Sequence, residues 1–233
     1  MAGIHDGHRD RIKRTFRKNG LANMEPHNAL EIILTYSIPR RDVNELAHRL
    51  LREFGGFDKV LEADFEQLVA VDGVGENTAT HLKLILETFQ YYELQKHREG
   101  FYAVSTSVAI EYAQALFRGE TYEINYLMCF DSSLKLLRCA KISEGSVNAV
   151  SVSVRRVVEI ATAAKAMTVI LTHNHPGGLA TPSSEDLVTT KKIINALNTV
   201  GIALSDHIVV GDTFAISMAE SGVIHNIKEE LGI

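Results

Sequence analysis

The sequence predicts an α+β chain: an all-helical N-terminal domain, residues 1–99, followed by a layered α/β domain, residues 100–233. Two observations carry this. From Ile12 to about Glu99 apolar residues recur at helical spacing, as in Leu46, Leu50, Leu51 and Phe54, with short polar or glycine-bearing breaks between segments. After the charged stretch QKHREG, strand-like and helix-like runs alternate, the pattern of strands layered against helices. The boundary is expected near Gly100, and neither half shows internal repeats or low-complexity sequence.

In the first half, Gly55-Gly56 ends one helix, and VDGVGENTA (71–79) leads from one helix into the next through two glycines spaced by one residue. Exposed N–H groups at a helix start can hold a phosphate, so this hairpin resembles the helix-hairpin-helix element of DNA-binding proteins. The plainer reading is a tight helix connection, since the hairpin carries Asp72 and Glu76 and no lysine before Lys83. In the second half, residues 106–118 read as a helix. YEINYLMCF and LKLLRCAKI read as strands about the turn Asp131-Ser132-Ser133, and 151–166 as a helix. MTVILTH follows as a buried strand, SSEDLVTTKKIINALNTV as an amphipathic helix and IALSDHIVV as a further strand.

Composition narrows the function classes. A net charge of -5 and a pI near 6.1 exclude a protein whose whole surface grips nucleic acid. Only the first twenty residues are basic, through Arg9, Arg11, Lys13, Arg14, Arg17 and Lys18. No apolar run approaches the roughly 18 residues that span a bilayer, and the start MAGIHDGHRDR has no apolar signal core, so a cytoplasmic protein without membrane attachment is expected. In that setting Cys129 and Cys139 read as buried thiols rather than a disulfide.

The chemistry concentrates in THNHPGGLATPSSED, residues 172–186. MTVILTH runs directly into His173-Asn174-His175, and strand residues two apart share a face at roughly 6 to 7 Å, so both imidazoles can converge on one ion. A catalytic zinc centre needs three protein ligands and an open position, and Asp186, at the start of the next helix, is the third donor available. Ser183-x-x-Asp186 before an apolar periodic run also reads as a helix cap, with Thr181-Pro182 a good helix start. Beside His-x-His the ligand reading prevails, because a polar cluster at the end of a buried strand needs a reason and metal binding supplies one. Other zinc chemistries fit worse: the His-Glu-x-x-His helix and the deaminase pattern are missing, and one aspartate beside two histidines suits zinc better than the carboxylate-rich sites of magnesium nucleases.

His-x-His, seven residues, Ser, two residues, Asp is the signature of the JAMM or MPN metalloproteins. With LAHRLLREFGGFDKVLEA, LVAVDGVGENTATHLKLILE, HNHPGG, SSEDL and SDHIVVG, the chain resembles the bacterial RadC family over nearly its whole length. The resemblance implies a JAB/MPN-type α/β sandwich with a mixed sheet as the second domain. It implies zinc on His173, His175 and Asp186, a Ser183 that supports an oxyanion, and a glutamate at the start of the domain's first strand that polarises water. That glutamate is Glu123, before INYLMCFD, with Glu144 in SEGSV as its rival. The implied activity is a zinc-dependent metallopeptidase cleaving an amide or isopeptide bond of a peptide or protein. The alternative is a DNA repair or recombination accessory protein that binds DNA through residues 71–79 and the basic N-terminus.

Two positions depart from the family pattern. Gly177 stands where HNHPSG has serine, and Val154-Arg155-Arg156 stands where Pro-Arg-Glu is common; both bear on substrate preference more than on the metal. His207 reads as half of a hydrogen-bonded pair with Asp206 near a sheet edge, the other role open to it being support behind a zinc ligand. His5, His8, His27, His48, His81, His97 and His225 lack ligand spacing and are expected at the surface.

Overall fold

The computed structural model describes residues 6–96, 100–145 and 152–233, and the chain divides into two compact units, 1–89 and 90–233. The first unit is helical. It comprises α1 (Asp6–Asn19), α2 (Pro26–Ser37), α3 (Asn44–Phe54), α4 (Phe57–Glu62), α5 (Phe65–Ala70) and the first part of α6 (Glu76–Lys96). Leu46 and Leu50 are buried with Leu30, Leu34, Val60 and Leu82, while Leu51 and Phe54 pack at the margin of the same core. Gly55, at φ +90°, ends α3 in the left-handed conformation, where its N–H reaches the Leu51 carbonyl. The glycine turn of 71–79 joins α5 to α6, with Gly73 at φ +94° and the Gly75 carbonyl accepting the N–H groups of Thr78 and Ala79. Its cations are occupied within the fold. Arg49 donates to the carbonyl and carboxylate of Asp72, and Lys83 Nζ to the Leu61, Glu62 and Ala63 carbonyls at the end of α4.

The division after Phe89 places the boundary ten residues before Gly100, inside α6. The helix continues unbroken, but its last turns belong to the second unit. Gln90 donates to the Leu116 carbonyl, and Leu94 packs against the core around Tyr112, Leu116 and Phe130. Periodicity marks a helix but not where its packing partner changes.

The second unit contains α7 (Thr106–Leu116), β1 (Glu123–Phe130), β2 (Leu136–Gly145), α8 (Val154–Ala163), β3 (Thr168–Asn174), α9 (Ser184–Asn198), β4 (Ala203–Val210), β5 (Ala215–Ser217) and α10 (Val223–Leu231). The strands form one mixed sheet in the order β2-β1-β3-β4-β5, parallel only between β3 and β4, which α9 connects. Both faces are covered. Leu127, Leu171 and Leu204 meet Val157, Ile193, Leu197 and Ile224 from α8, α9 and α10, whereas Ile124, Met128 and Ile208 meet Tyr112 and Leu116 from α7. Double-sided burial explains the nearly continuous apolar run of MTVILTH. Cys129 belongs to the first of these cores and Cys139 packs against the second, so the sheet separates the thiols. Burial pushes them up, to about 11 for Cys129 and about 12 for Cys139. Among the described residues no helix is long and apolar enough to cross a membrane.

β5 and α10 are not evident in the sequence, and their role lies beside the His-x-His loop. His175 N–H donates to the Val210 carbonyl at 2.8 Å, Gly177 N–H to Asp212 Oδ1 at 2.9 Å and Asp212 N–H to the Gly178 carbonyl at 3.3 Å. Gly177 adopts φ +70°, a conformation that strains a side chain. The loop after β3 is thereby sewn to the β4–β5 turn, where Gly211 admits it. A Cβ at Gly211 would lie 2.7 Å from Ala180 N and 2.8 Å from the Gly178 carbonyl oxygen. Backbone atoms cannot rotate aside, so Gly211→Ala is expected to cost about 1–3 kcal/mol, measured by urea unfolding. A variant as stable as the parent would mean that this loop does not press on Gly211.

Candidate metal centre

β3 is buried from Val169 to Asn174, so His173 leaves the sheet with almost no exposure, while His175, one residue beyond the strand, and Asp186, in the first turn of α9, are half-buried. His173 Nε2 lies 3.0 Å from His175 Nε2 and 3.3 Å from Asp186 Oδ1, and His175 Nε2 lies 3.8 Å from Asp186 Oδ2. The three ligand atoms all fall within 4.8 Å of one another, the only such His/Cys/Asp/Glu group of three among the described residues. Zinc–ligand bonds of about 2.0–2.1 Å in a tetrahedron put neighbouring donor atoms about 3.3 Å apart. The two shortest contacts have that spacing.

Asp186 is both the cap residue and the converging acid. Ser183 is the N-cap of α9, its Oγ accepting the Asp186 N–H at 3.1 Å. In return Asp186 Oδ2 accepts the Ser183 N–H at 2.7 Å and its hydroxyl at 2.6 Å. The cap therefore fixes one carboxylate oxygen and leaves the other toward His173. Burial works to raise the Asp186 carboxyl, but His173 beside it and the two bonds from Ser183 outweigh burial and hold it well below the usual carboxylate range.

The hydrogen bonds behind the rings decide their chemistry. His175 Nδ1 lies 2.8 Å from the Leu179 carbonyl, which can only accept, so Nδ1 carries a proton and Nε2 is the nitrogen left to face His173 and Asp186. His173 Nδ1 lies 2.8 Å from His207 Nε2, and His207 Nδ1 lies 2.7 Å from Thr190 Oγ1. This corrects the expected Asp206–His207 pair. β4 is an interior strand, and the Asp206 carboxylate accepts from Ser217 Oγ, the Ala219 N–H and the backbone N–H of His207, leaving the His207 ring to lie behind His173. Burial pushes His207 well below the usual imidazole range, and His173 nearby adds to the effect. Dipeptide adjacency could not show which residue the ring would face.

Glu123 opens β1 and is half-buried. β1 pairs antiparallel with β3 with Asn125 opposite His173, and Glu123 lies two residues earlier, on the same strand face as Asn125. It is not one of the three converging donors. Glu144 lies opposite Ile124 on β2, and its side chain falls outside the described residues. Asn174, the middle residue of His-x-His, gives no sequence signal of its own. Its Oδ1 accepts the Ile124 N–H at 2.8 Å and its Nδ2 donates to the Tyr122 carbonyl at 2.9 Å, gripping the backbone on both sides of Glu123. Thr190, four residues after Asp186 and so on the same helix face, also carries a signal that only the partner explains.

The remaining histidines stand apart from this cluster. His8, half-buried rather than exposed, lies 2.8 Å from the buried Glu31; His27 stacks on His48; and His225 lies 3.4 Å from Glu229. His5 and His97 lie outside the described residues. Arg155 and Arg156, in the segment that departs from Pro-Arg-Glu, reach Glu159 on their own helix at 2.8 and 4.0 Å.

Residues 103–223 match the RadC-like JAB domain family. A UPF0758 protein of Fusobacterium nucleatum is 31% identical over 94% of this chain and 98% of its own length. Similar proteins of Idiomarina loihiensis, 33% identical over 92% of this chain and 96% of theirs, and of Ruegeria pomeroyi, 32% identical over 93% and 97%, bear the same UPF0758 designation.

Cap and ligand roles separate by substitution. Asp186→Ala is expected to abolish stoichiometric zinc retention after dialysis. Ser183→Ala should keep the metal while losing about 0.5–2 kcal/mol of stability from the cap. Elemental analysis of both proteins checks this; equal zinc in Asp186→Ala and the parent would reduce Asp186 to a cap.

Proposed function

The chain belongs to the RadC family, with a RadC-like JAB domain of the metal-dependent hydrolase fold, and from that premise we propose that it is a zinc metallopeptidase cleaving an amide or isopeptide bond. The carrying observation is the 3.0 Å approach of two imidazole Nε2 atoms beside an ionised Asp186, with the His175 proton committed to Leu179. Ring nitrogens this close can share either a proton or a metal ion, and two nitrogens with one oxygen form a donor set suited to zinc. When bound, zinc acidifies water toward a pKa of about 7 and polarises a carbonyl.

The protein's own groups complete the reaction. Glu123, at the start of the strand beside His173, takes a proton from the attacking water and delivers it to the leaving nitrogen, so that an amide and water yield a carboxylate and an amine. Asn174 holds Glu123 in place through the two backbone bonds that flank it. Ser183 stands exposed on the rim, and its hydroxyl, turned from Asp186 toward the substrate, donates to the tetrahedral oxygen. The reading in which the helical unit grips DNA gains less support, since Arg49 and Lys83 are spent on the turn and on a helix end.

The test uses the full chain, stripped by a chelator, reloaded with zinc and incubated with a library of linear and isopeptide-linked peptides read by mass spectrometry. Cleavage is expected only after reloading. Glu123→Gln should retain zinc and lose about 10²-fold or more in turnover, and Asn174→Ala should lower turnover with zinc content unchanged. A zinc-loaded parent that cuts no member, or a Glu123→Gln protein as active as the parent, would overturn the assignment.

A further inference from the structure

The four groups behind the metal centre form a closed ring. Thr190 Oγ1 lies 2.6 Å from the Asp186 carbonyl oxygen and 2.7 Å from His207 Nδ1, His207 Nε2 lies 2.8 Å from His173 Nδ1, and His173 Nε2 lies 3.3 Å from Asp186 Oδ1. Thr190 and His207 are essentially inaccessible to solvent, so their protons have no water to exchange partners with.

From the Asp186 carbonyl to His173 Nδ1 the protons can run in one direction only. Two oxygens 2.6 Å apart hold a proton between them, and a carbonyl only accepts, so Thr190 donates to Asp186. Its hydroxyl oxygen then accepts, which puts the His207 proton on Nδ1 and leaves His207 Nε2 bare. Bare Nε2 accepts in turn, which puts a proton on His173 Nδ1 and leaves Nε2 as the nitrogen that faces Asp186 Oδ1 and His175 Nε2. The reverse arrangement would put a proton on His173 Nε2 and close that position to a metal.

We infer that His207 and Thr190 are positioning residues that set the His173 tautomer, a hydrogen-bond ring by which the backbone of one ligand, Asp186, dictates which nitrogen of the other, His173, faces the metal. The inference rests on the zinc reading above and deepens it. It assigns His207 and Thr190 no contact with substrate. It also gives a reason for the threonine: at this position a hydroxyl must donate to a helix carbonyl and accept from an imidazole at once, which an isosteric valine cannot do.

The test has two arms. In the metal-free parent, nitrogen-15 NMR of the imidazoles is expected to show Nδ1–H on both His173 and His207 with His207 Nε2 bare; an unprotonated Nδ1 on either ring, or Nε2–H on His207, overturns the ring. In the second arm, zinc affinity is measured by competition with a chromophoric chelator. His207→Phe should bind about 10–100-fold more weakly, the range found when a partner behind a metal ligand is lost. His207→Gln, whose amide oxygen can accept from His173 Nδ1–H, should recover most of that loss. Thr190→Val should weaken binding and Thr190→Ser should not, which keeps the test decisive if His207→Phe fails to fold. Parent-like affinity in His207→Phe or Thr190→Val, or a Gln variant as weak as Phe, overturns the proposal. A parent that takes up no zinc counts against the metallopeptidase reading alone, because the tautomers are read without metal.

Discussion

The constraint on which the second unit depends is the end of a buried strand. β3 runs through the middle of the sheet with helices on both sides, so a polar side chain at its C-terminal end cannot turn to solvent, and His173 has to be satisfied in place. The protein satisfies it from three directions: His207 from the parallel neighbour β4, Asp186 from the helix that follows, and His175 from the continuation of the strand itself. Each partner arrives on an element that exists for packing reasons. The parallel pairing of β3 with β4 requires a crossover, the crossover is α9, and α9 begins with Asp186 in its first turn. The topology that fills the core thus also brings the acid to the imidazoles.

Much of this was legible in the sequence, and the reasons are specific. MTVILTH reads as a buried strand because both its faces are covered, and His-x-His followed by Ser-x-x-Asp reads as a donor set because residue type and spacing are both constrained. Cap and ligand are not alternatives for Asp186. One carboxylate oxygen serves the helix and the other faces the histidines, and a local sequence pattern gives no means of dividing a side chain by atom. His207 was misread because its neighbour in sequence points elsewhere: consecutive strand residues lie on opposite faces, so Asp206 bonds to Ser217 while the ring meets His173. The hold of Asn174 on Tyr122 and Ile124 spans fifty residues and depends on strand register, which composition does not encode. The three-residue β5 is too short to show alternation, yet its turn supports the loop that carries His175.

The helical unit obeys a simpler logic. Of the residues its apolar spacing marks, Leu46 and Leu50 are buried and Leu51 and Phe54 lie at the margin, its glycine turn joins helices as expected, and Arg49 and Lys83 beside that turn bind Asp72 and internal carbonyls. Charge counted along a sequence overstates what a surface offers when arginine and lysine serve as helix and loop braces.

The seating of Asp186 in the opening turn of α9 has an electrostatic corollary. The helix points the positive end of its macrodipole at the same spot where the donors meet, and those donors comprise two imidazole rings and a single carboxylate. A divalent ion held by two imidazole nitrogens and one carboxylate would keep one unit of uncompensated positive charge, reinforced rather than cancelled by the peptide dipoles behind it. Such a centre attracts anions for their own sake. In the proposed reaction the acid set free would leave against that field, so departure of the product, and not only its formation, would be shaped by where this helix begins.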